Sequence, residues 1–460
     1  MSLIKEFTKI IAEGEKQAQR AKAAPLVLTE EILGENKSDE NGLYLGDNLS
    51  VMQSLLTGGG LSGQVQMIYI DPPFYSKANY DAAVKVGDQT LKYRAYDDKW
   101  EQGLSSYLKM LTARLYLMKE LLADSGLIWL HLDWHVVHYA KVIMDEIFGE
   151  KNFVNEIIWH YKSGGTSKKH FARKHDTILV YAKSPNYRFY PLQEKSYNRG
   201  YKPYHFKGVQ EYKDDIGWYT MVNMKDVWNI DMVGRTSRER TGYATQKPEQ
   251  LLFRMIESCT REGDLCADFF CGSGTLAAAA AKLGRRFITC DMGKLAYEST
   301  IRRLTAQGTG FCAYQQQEAC CARQAGAAGT HAGAAGIRTR VNRAKMEARI
   351  LLTREKLSEG DGELVRIRLL SLKARRLDQM LNDKEQALVA PVIAEDSLQL
   401  VDMWSVDFDY DLQTGVHKAQ SVFVREKGNL TLSCEKIVAP GAHICVKVTD
   451  VLGNTVFEKF

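Results

Sequence analysis

The sequence predicts an α/β protein built on a central, mostly parallel sheet, with a separate β-rich domain at its C-terminal end. Three observations carry this expectation. Between residues 41 and 310, apolar runs of strand length alternate with amphipathic stretches of helix length. Two of those runs end in sharp turns of opposite kind, "IYIDPPF" at 68–74 and "DFFCGSGT" at 268–275. After residue 345 the chain favours alternating segments, as in "HICVKVTDVLGNTVFEKF", where strand patterns bracket a Leu-Gly-Asn turn.

Each element follows from its own residues. Residues 1–40 read as a polar helix and a loose acidic connector, an N-terminal arm. "GLYLGD" is a short strand, and Leu49, Met52, Leu55 and Leu56 make a helical stripe after it. "VQMIYI", apolar apart from Gln66, reads as a continuous run of the kind expected of a strand covered on both faces. Leu104, Tyr107, Leu108, Leu111, Leu115, Met118 and Leu122 form a long amphipathic helix. "GLIWLHLD" is the next strand, and a helix runs from about Val136 to Phe148, stopped by Gly149. "NEIIWHY" and "DTILVYAK" are further strands, separated by the basic, glycine-containing "KSGGTSKKHFARKH".

Residues 191–240 break this rhythm: they are rich in tyrosine, lysine and arginine and show no sustained period. A helix from Pro248 to about Cys259 restores it. The stretch "GDLCADFFCGSGTLAAAAAKLGRRFITCDM" then reads as strand, glycine turn, helix and strand. Residues 311–345, biased to alanine and glycine, read as a linker, and 346–460 as the β-rich domain. The organisation expected is an arm (1–40), a first half-domain (41–190), an insert (191–240), a second half-domain (241–310), the linker and the C-terminal domain.

Composition excludes several classes. With 45% hydrophobic and 25% charged residues among 460, the chain is globular in character, and its net charge of +5 is compatible with a nucleic-acid partner. Nine cysteines show no CxxC pair and no zinc spacing, so no metal site is expected, and Cys266, Cys271 and Cys290 read as core residues. That cysteine usage, with no secretory or membrane-spanning run, points to the cytoplasm.

The two turns carry the chemistry. Pro72 and Pro73 stop their strand and hold Asp71 and Phe74 on a stiff, extended turn at its carboxyl end. In open α/β sheets ligands bind at that edge. An ordinary strand stop explains a lone DPPF equally well. In "DFFCGSGT", Gly272 and Gly274 allow close backbone approach, and the helix start offers free N–H groups. Asp291 ends the following strand, where a carboxylate can accept both hydroxyls of a ribose. Ala277 stands where a dinucleotide fingerprint needs its third glycine, and the P-loop lysine is missing. The pattern suits an adenosine carrying an amino acid better than one carrying a pyrophosphate.

Together these motifs resemble the S-adenosylmethionine-dependent DNA amino-methyltransferases. Their order, DPPF before "DFFCGSGT", is similar to that of the circularly permuted β class, which includes the modification subunits of type III restriction systems. "YATQKPEQLLFRMI" looks like the third hallmark of that class, and the likeness covers roughly residues 40–308. Phe74 stands where tyrosine is commoner, and the insert is short for a target-recognition region.

The resemblance implies a Rossmann-like methyltransferase domain with a seven-stranded sheet, S-adenosyl-L-methionine as cofactor and N6 of a flipped-out adenine as target. It implies catalytic roles for Asp71, Pro72, Pro73 and Phe74, and contact with the cofactor by Asp47, Lys247, Asp268, Phe270, Gly272, Gly274, Thr275 and Asp291. The Asp71 carboxylate and the Pro72 carbonyl would accept the two amine hydrogens, and Phe74 would stack on the base. Lys168, Lys169, Arg173, Lys174 and Lys202 are the expected contacts to double-stranded DNA. A restriction or defence-system subunit and a second copy of the chain are the other expected partners, with a nucleoid-associated location. Cytosine-N4 methylation is the alternative activity, and a DNA-binding subunit without activity of its own is the non-enzyme alternative.

Overall fold

The structure, a computed structural model, describes all residues except 1–2, 36–37, 78, 99, 101–102, 163–167, 235, 244, 318–345, 358–361, 375–380 and 427. The chain divides into two units. The first comprises Met1–Ala23, Glu40–Tyr80 and Tyr96–Arg303; the second comprises Ala24–Asp39, Asp81–Ala95 and Leu304–Phe460.

The first unit is built on a sheet whose strands are numbered here along the chain: β1 (Gly42–Leu45), β2 (Val65–Ile70), β3 (Leu122–Leu132), β4 (Phe153–His160), β5 (His175–Ala182), β6 (Val227–Asn229), β7 (Leu265–Asp268) and β8 (Arg286–Asp291). Their spatial order is β6-β4-β5-β3-β2-β7-β8-β1. All run in one direction except β5, which is antiparallel to both its neighbours. Every residue of β2 and of β7 is buried, including two polar ones: Gln66, whose Nε2 donates to the Ser125 and Cys259 carbonyls, and Asp268. The helix α3 (Gly103–Leu121) connects β2 to β3 on one side, and the helix Thr275–Lys282 connects β7 to β8 on the other. The chain therefore winds in opposite directions from the adjacent strands β2 and β7. A crevice opens at the carboxyl ends of strands that part in this way.

Helix α3 buries Tyr107, Leu108, Leu111, Leu115 and Met118 at the expected helical spacing, each contributing roughly 1.5–3 kcal/mol. The helix α1 (Leu3–Gln19) is not a free arm. It buries Ile10, Gly14 and Ala18, spaced four apart, and a Cβ on Gly14 would lie 2.5 Å from Thr112 Cγ2 of α3. The expected acidic connector is instead a strand, Leu26–Ile32, which pairs antiparallel with Phe311–Gln316 inside the second unit. That pairing also places a strand at the start of the expected linker; residues 318–345 lie outside the described residues.

The insert, where the sequence shows no period, holds a three-stranded antiparallel sheet of Glu211–Lys213, Trp218–Asn223 and Gln193–Tyr197. One of these strands has only three residues, and the other two, QEKSY and WYTMVN, do not alternate polar with apolar residues.

In the second unit, strands dominate the C-terminal segment as expected. One sheet comprises Glu347–Lys356, Glu363–Lys373 and Ser433–Val438; another comprises Ser421–Val424, Val401–Asp407, Cys445–Asp450 and Thr455–Lys459. The last two strands pair around the expected turn. Trp404 stacks on Phe423 at 4.4 Å between centroids, and Lys447 Nζ lies 2.7 and 2.9 Å from the two carboxylate oxygens of buried Glu30. A helix, Asp383–Glu395, closed by a capping box of Asn382 and Glu385, was not foreseen. Among the described residues no helix is long and apolar enough to cross a membrane.

Candidate active site at the carboxyl edge of the sheet

Strand β2 ends at Ile70, and the turn Asp71-Pro72-Pro73-Phe74 begins at once. Asp71 Oδ2 accepts a hydrogen bond from Lys247 Nζ in an ion pair whose side chains are 17% and 9% exposed. The other oxygen, Oδ1, is buried and has no hydrogen-bond partner among the described residues. A buried acceptor left unmet costs about 1–3 kcal/mol. This oxygen is therefore suited to a donor arriving with a ligand. Lys247 Nζ also lies 5.2 Å from the Phe74 ring centroid, so one cation touches both the acid and the ring. Beyond Phe74 the chain is strained: Tyr75 and Lys77 have φ values of 58° and 59°. Left-handed backbone at residues with side chains costs roughly 1–2 kcal/mol each.

Phe74 leans on a buried polar network. Its ring lies 5.8 Å from that of His131, whose Nδ1 is 2.9 Å from Tyr69 Oη and whose Nε2 is 3.2 Å from Asp176 Oδ2. Tyr161 Oη donates to the other Asp176 oxygen at 3.1 Å. Burial works against ionised Asp176, but the His131 hydrogen bond and the charges of His131 and Lys247 outweigh it and hold the carboxyl below its usual range. Asp133 does not join this network. It accepts from His135 N and contacts His135 Nδ1 at 2.7 Å, a local turn that follows the strand.

The second turn lies on the neighbouring strand. In β7, Cys266 and Ala267 pair with Met67 and Ile68 of β2, so Asp71 and the loop 269–274 emerge side by side from the same edge. Gly272 (φ 50°) and Gly274 (φ 69°) are left-handed, which only glycine adopts at little cost. A Cβ on Gly274 would come within 2.6 Å of Thr300 Cγ2, and one on Gly272 within 3.2 Å of the Tyr243 ring. Asp291, at the end of β8, accepts from Gly272 N at 2.9 Å through Oδ2 and from Gly293 N at 2.8 Å through Oδ1. Its carboxylate thus pins the glycine loop. Asp268 is buried and accepts from Phe270 N at 2.9 Å. Burial pushes its carboxyl well above the ordinary range, and nearby Asp71 and Asp291 push it the same way, against the pull of the Phe270 N–H and Lys247. Burial raises Asp291 too, opposed by its N–H donors.

Two residues assigned to the cofactor have other engagements. Asp47 caps the helix α2 (Asn48–Thr57) and pairs with Arg114 Nη2 at 2.8 Å, while Asn48 Nδ2 donates to the Phe269 carbonyl at 2.7 Å. Lys247 reaches Asp71, and its backbone carbonyl accepts from Thr275 Oγ1 at 3.3 Å. It ties the two turns together. Cys266, Cys271 and Cys290 are buried and free, as read from the sequence.

The basic candidates Lys168, Lys169, Arg173 and Lys174 precede or join the start of β5 and are exposed or partly exposed. Arg173 stacks over Trp134 at 3.8 Å, and Trp134 stacks on His135. Lys202 is exposed on the insert. Part of the insert's aromatic content packs on itself: Tyr219 lies 5.6 Å from both Tyr197 and Tyr212. Tyr201, Tyr204 and Phe206 remain exposed. No cluster of His, Cys, Asp or Glu suited to a metal ion occurs among the described residues.

Several residues at this edge escaped the sequence reading. Asp176, Tyr161 and Asp98 carry no local motif, and the sole signal for Asp176 was a polar residue beside an apolar strand run. His131 was read, with Asp133 and His135, only as an accidental triad-like pattern along a strand, whereas it bonds Tyr69 and Asp176. Arg114 lay on the helix between hydrophobic positions and gave none.

An acid–proline turn and a glycine loop leave adjacent strands at one switch point, the edge at which open α/β sheets bind ligands. The chain belongs to the DNA methylase family: residues 65–302, just over half its length, match the N6/N4 methyltransferase model. Among its relatives, the type II methyltransferase M.EcaI of Enterobacter cloacae is 26% identical over 323 residues, covering 57% of this chain and 69% of that protein. The StyLTI Mod subunit, a type III restriction-modification enzyme of Salmonella typhimurium, is 31% identical over 186 residues, 37% of this chain and 28% of that one. Of solved structures, the M1.HpyAVI–SAM complex is 18% identical and covers 57% of this chain and 98% of its own, with a TM-score of 0.38. The cytosine-N4-specific PvuII DNA methyltransferase is 13% identical over 59% of this chain and 89% of its own, with a TM-score of 0.40.

Proposed function

We propose that this protein is a restriction–modification DNA methyltransferase that modifies N6 of an adenine extruded from double-stranded DNA, with S-adenosyl-L-methionine as donor. The observation that carries the reading is the buried, unmet Asp71 Oδ1 beside the glycine loop. An exocyclic amine is a poor nucleophile because its lone pair is delocalised into the ring. Two acceptors, Asp71 Oδ1 and the Pro72 carbonyl, would draw its hydrogens aside and free that lone pair. Lys247, holding Oδ2, fixes which carboxylate oxygen remains for the amine, and Oδ1 is placed to take the proton the amine sheds. Phe74, backed by His131, offers a flat face to the base.

The donor supplies an electrophilic methyl group when bound. The residues present fit such a ligand: a left-handed glycine loop that admits no side chain at Gly274, and the acids Asp268 and Asp291 around it. Phe270, Gly272 and Thr275 complete the proposed donor site. The sheet supports a permuted, seven-stranded reading: β1 to β5 with β7 and β8 form the order 4-5-3-2-7-8-1, with β6 as a short extra edge strand. The catalytic strand then precedes the donor strand in sequence. Lys168, Lys169, Arg173, Lys174 and Lys202 are assigned to DNA phosphates, and a restriction or defence subunit or a second copy are the proposed partners.

The test is direct. Purified protein is incubated with unmethylated DNA and labelled donor, the DNA is digested, and nucleosides are resolved by mass spectrometry. N6-methyldeoxyadenosine is expected. N4-methyldeoxycytidine alone would move the target to cytosine, and no methylated nucleoside would overturn the enzyme reading.

A further inference from the structure

The acid that holds the proline turn in shape is not in the turn. Asp98 lies 27 residues beyond Asp71, past a β-hairpin of Asn79–Val86 and Gln89–Asp97, and is fully buried. Its Oδ1 accepts from Tyr75 N at 3.2 Å and from Trp100 Nε1 at 3.0 Å. Its Oδ2 accepts from Ser76 N at 2.6 Å and from Ser76 Oγ at 2.8 Å. Four donors fill the acceptor capacity of one carboxylate. Three of them come from Tyr75 and Ser76, directly after Phe74, where Tyr75 and Lys77 sit at φ 58° and 59°. Side chains other than glycine or asparagine persist there only when their surroundings over-determine the backbone. Trp100, itself held by Asp98, packs edge-on against Tyr107 at 5.2 Å, and Tyr75 lies 6.0 Å from the same ring, so the clamp is seated on α3.

We propose that Asp98 is a positioning residue for methyl transfer: its carboxylate clamps the strained Tyr75–Lys77 backbone and so fixes Phe74 and the Pro72 carbonyl relative to Asp71. The inference rests on the methyltransferase reading for its catalytic consequence, but its structural content is independent of it. The isosteric substitution Asp98→Asn keeps one acceptor oxygen and turns the other into an N–H₂ that faces N–H donors. The turn then loses roughly half of its restraint while the fold keeps its shape.

The experiment compares the parent with Asp98→Asn in two readouts. In hydrogen exchange, the amides of Tyr75 and Ser76, within the 71–77 segment, should exchange at least tenfold faster in the variant, with 65–70 and the glycine loop unchanged. In single-turnover methylation, the rate should fall by about a hundredfold, the effect of misplacing a reacting group by an ångström, with donor affinity held within twofold. Adding Tyr75→Gly to Asp98→Asn should recover part of that rate, because glycine adopts φ 58° without a clamp. Unchanged exchange in 71–77 overturns the clamp whether or not DNA is methylated. So does a rate that falls only in step with donor affinity or melting temperature, or a double variant worse than the single one. If the parent itself methylates nothing while exchange responds as expected, the methyltransferase reading fails and the clamp stands.

Discussion

The two turns at the carboxyl edge solve opposite problems with opposite residues. The turn after β2 is stiff: two prolines, left-handed tyrosine and lysine, an ion-paired acid and a ring resting on His131. The turn after β7 is permissive: left-handed glycines without side chains of their own, and a pinning carboxylate that accepts from backbone N–H groups. A group whose lone pair must be aimed needs fixed acceptors, and fixed acceptors need strain held by packing. A ligand that must lie along the backbone needs absent side chains. The difference teaches that the acids of this edge are not equivalent. Asp71 has a cation on one oxygen and, among the described residues, no hydrogen-bond partner on the other, whereas Asp291 has a donor on each.

The largest effect that would break this contrast is at Asp71. Asp71→Ala is expected to lower methyl transfer by at least about 10²–10³-fold, the usual cost of removing one group aimed at a reacting centre. Donor affinity by calorimetry should stay near the parent value. If affinity falls with activity, the stiff turn belongs to the donor and the comparison collapses.

A smaller effect separates the two glycines. Gly274→Ala meets Thr300 at 2.6 Å and requires a left-handed alanine, so it should lose at least about 1–2 kcal/mol of stability and weaken the donor. Gly272→Ala meets only a tyrosine ring at 3.2 Å, which can swing aside, and should lose less. Thermal melting and donor titration of both variants check the ranking; equal losses would mean that backbone conformation alone, not the space around it, governs the loop.

The smallest effect concerns Asp268, whose folded carboxyl sits well above its ordinary value of 3.8. The folded state binds this proton more tightly than the unfolded chain. The group therefore favours folding below 3.8 and loses that contribution as pH rises toward its folded pKa. Asp268→Asn keeps an acceptor for Phe270 N without the charge. Its melting temperature relative to the parent should climb as pH is raised from about 3.8 and then level off. A constant difference across pH would show that Asp268 carries no unusual proton.

Much of the first unit was legible because its central strands are buried on both faces and are followed by prolines or glycines that end them. Val65–Ile70 and its two prolines, and Leu265–Asp268 and its glycines, announce both elements and boundaries. What was not legible depends on long-range pairing. Nothing local links Lys247 to Asp71, 176 residues away, or His131 to Asp176. The insert's strands do not alternate polar with apolar residues. The helix α1 did carry a signal: Ile10, Gly14 and Ala18, spaced four apart, make a narrow face that lets another helix come close. The second unit was partly hidden for a different reason. It recruits Ala24–Asp39 and Asp81–Ala95 from segments far upstream, and no composition shift marks them.

The strand Leu26–Ile32 has a consequence for the order of events during synthesis. Its antiparallel partner is Phe311–Gln316, and the Thr29–Ala313 contact spans 284 residues. At about 5–20 residues per second, the ribosome needs roughly a quarter of a minute to a minute to deliver that partner. Through that interval Leu26–Ile32 waits with its hydrogen-bonding edge bare, long after β1 to β5 have emerged to assemble. The nascent chain must shield an unpaired strand for the whole delay. Glu30 and Glu31, adjacent charges near the end of that strand, are the type of residue that discourages a premature partner from docking on it.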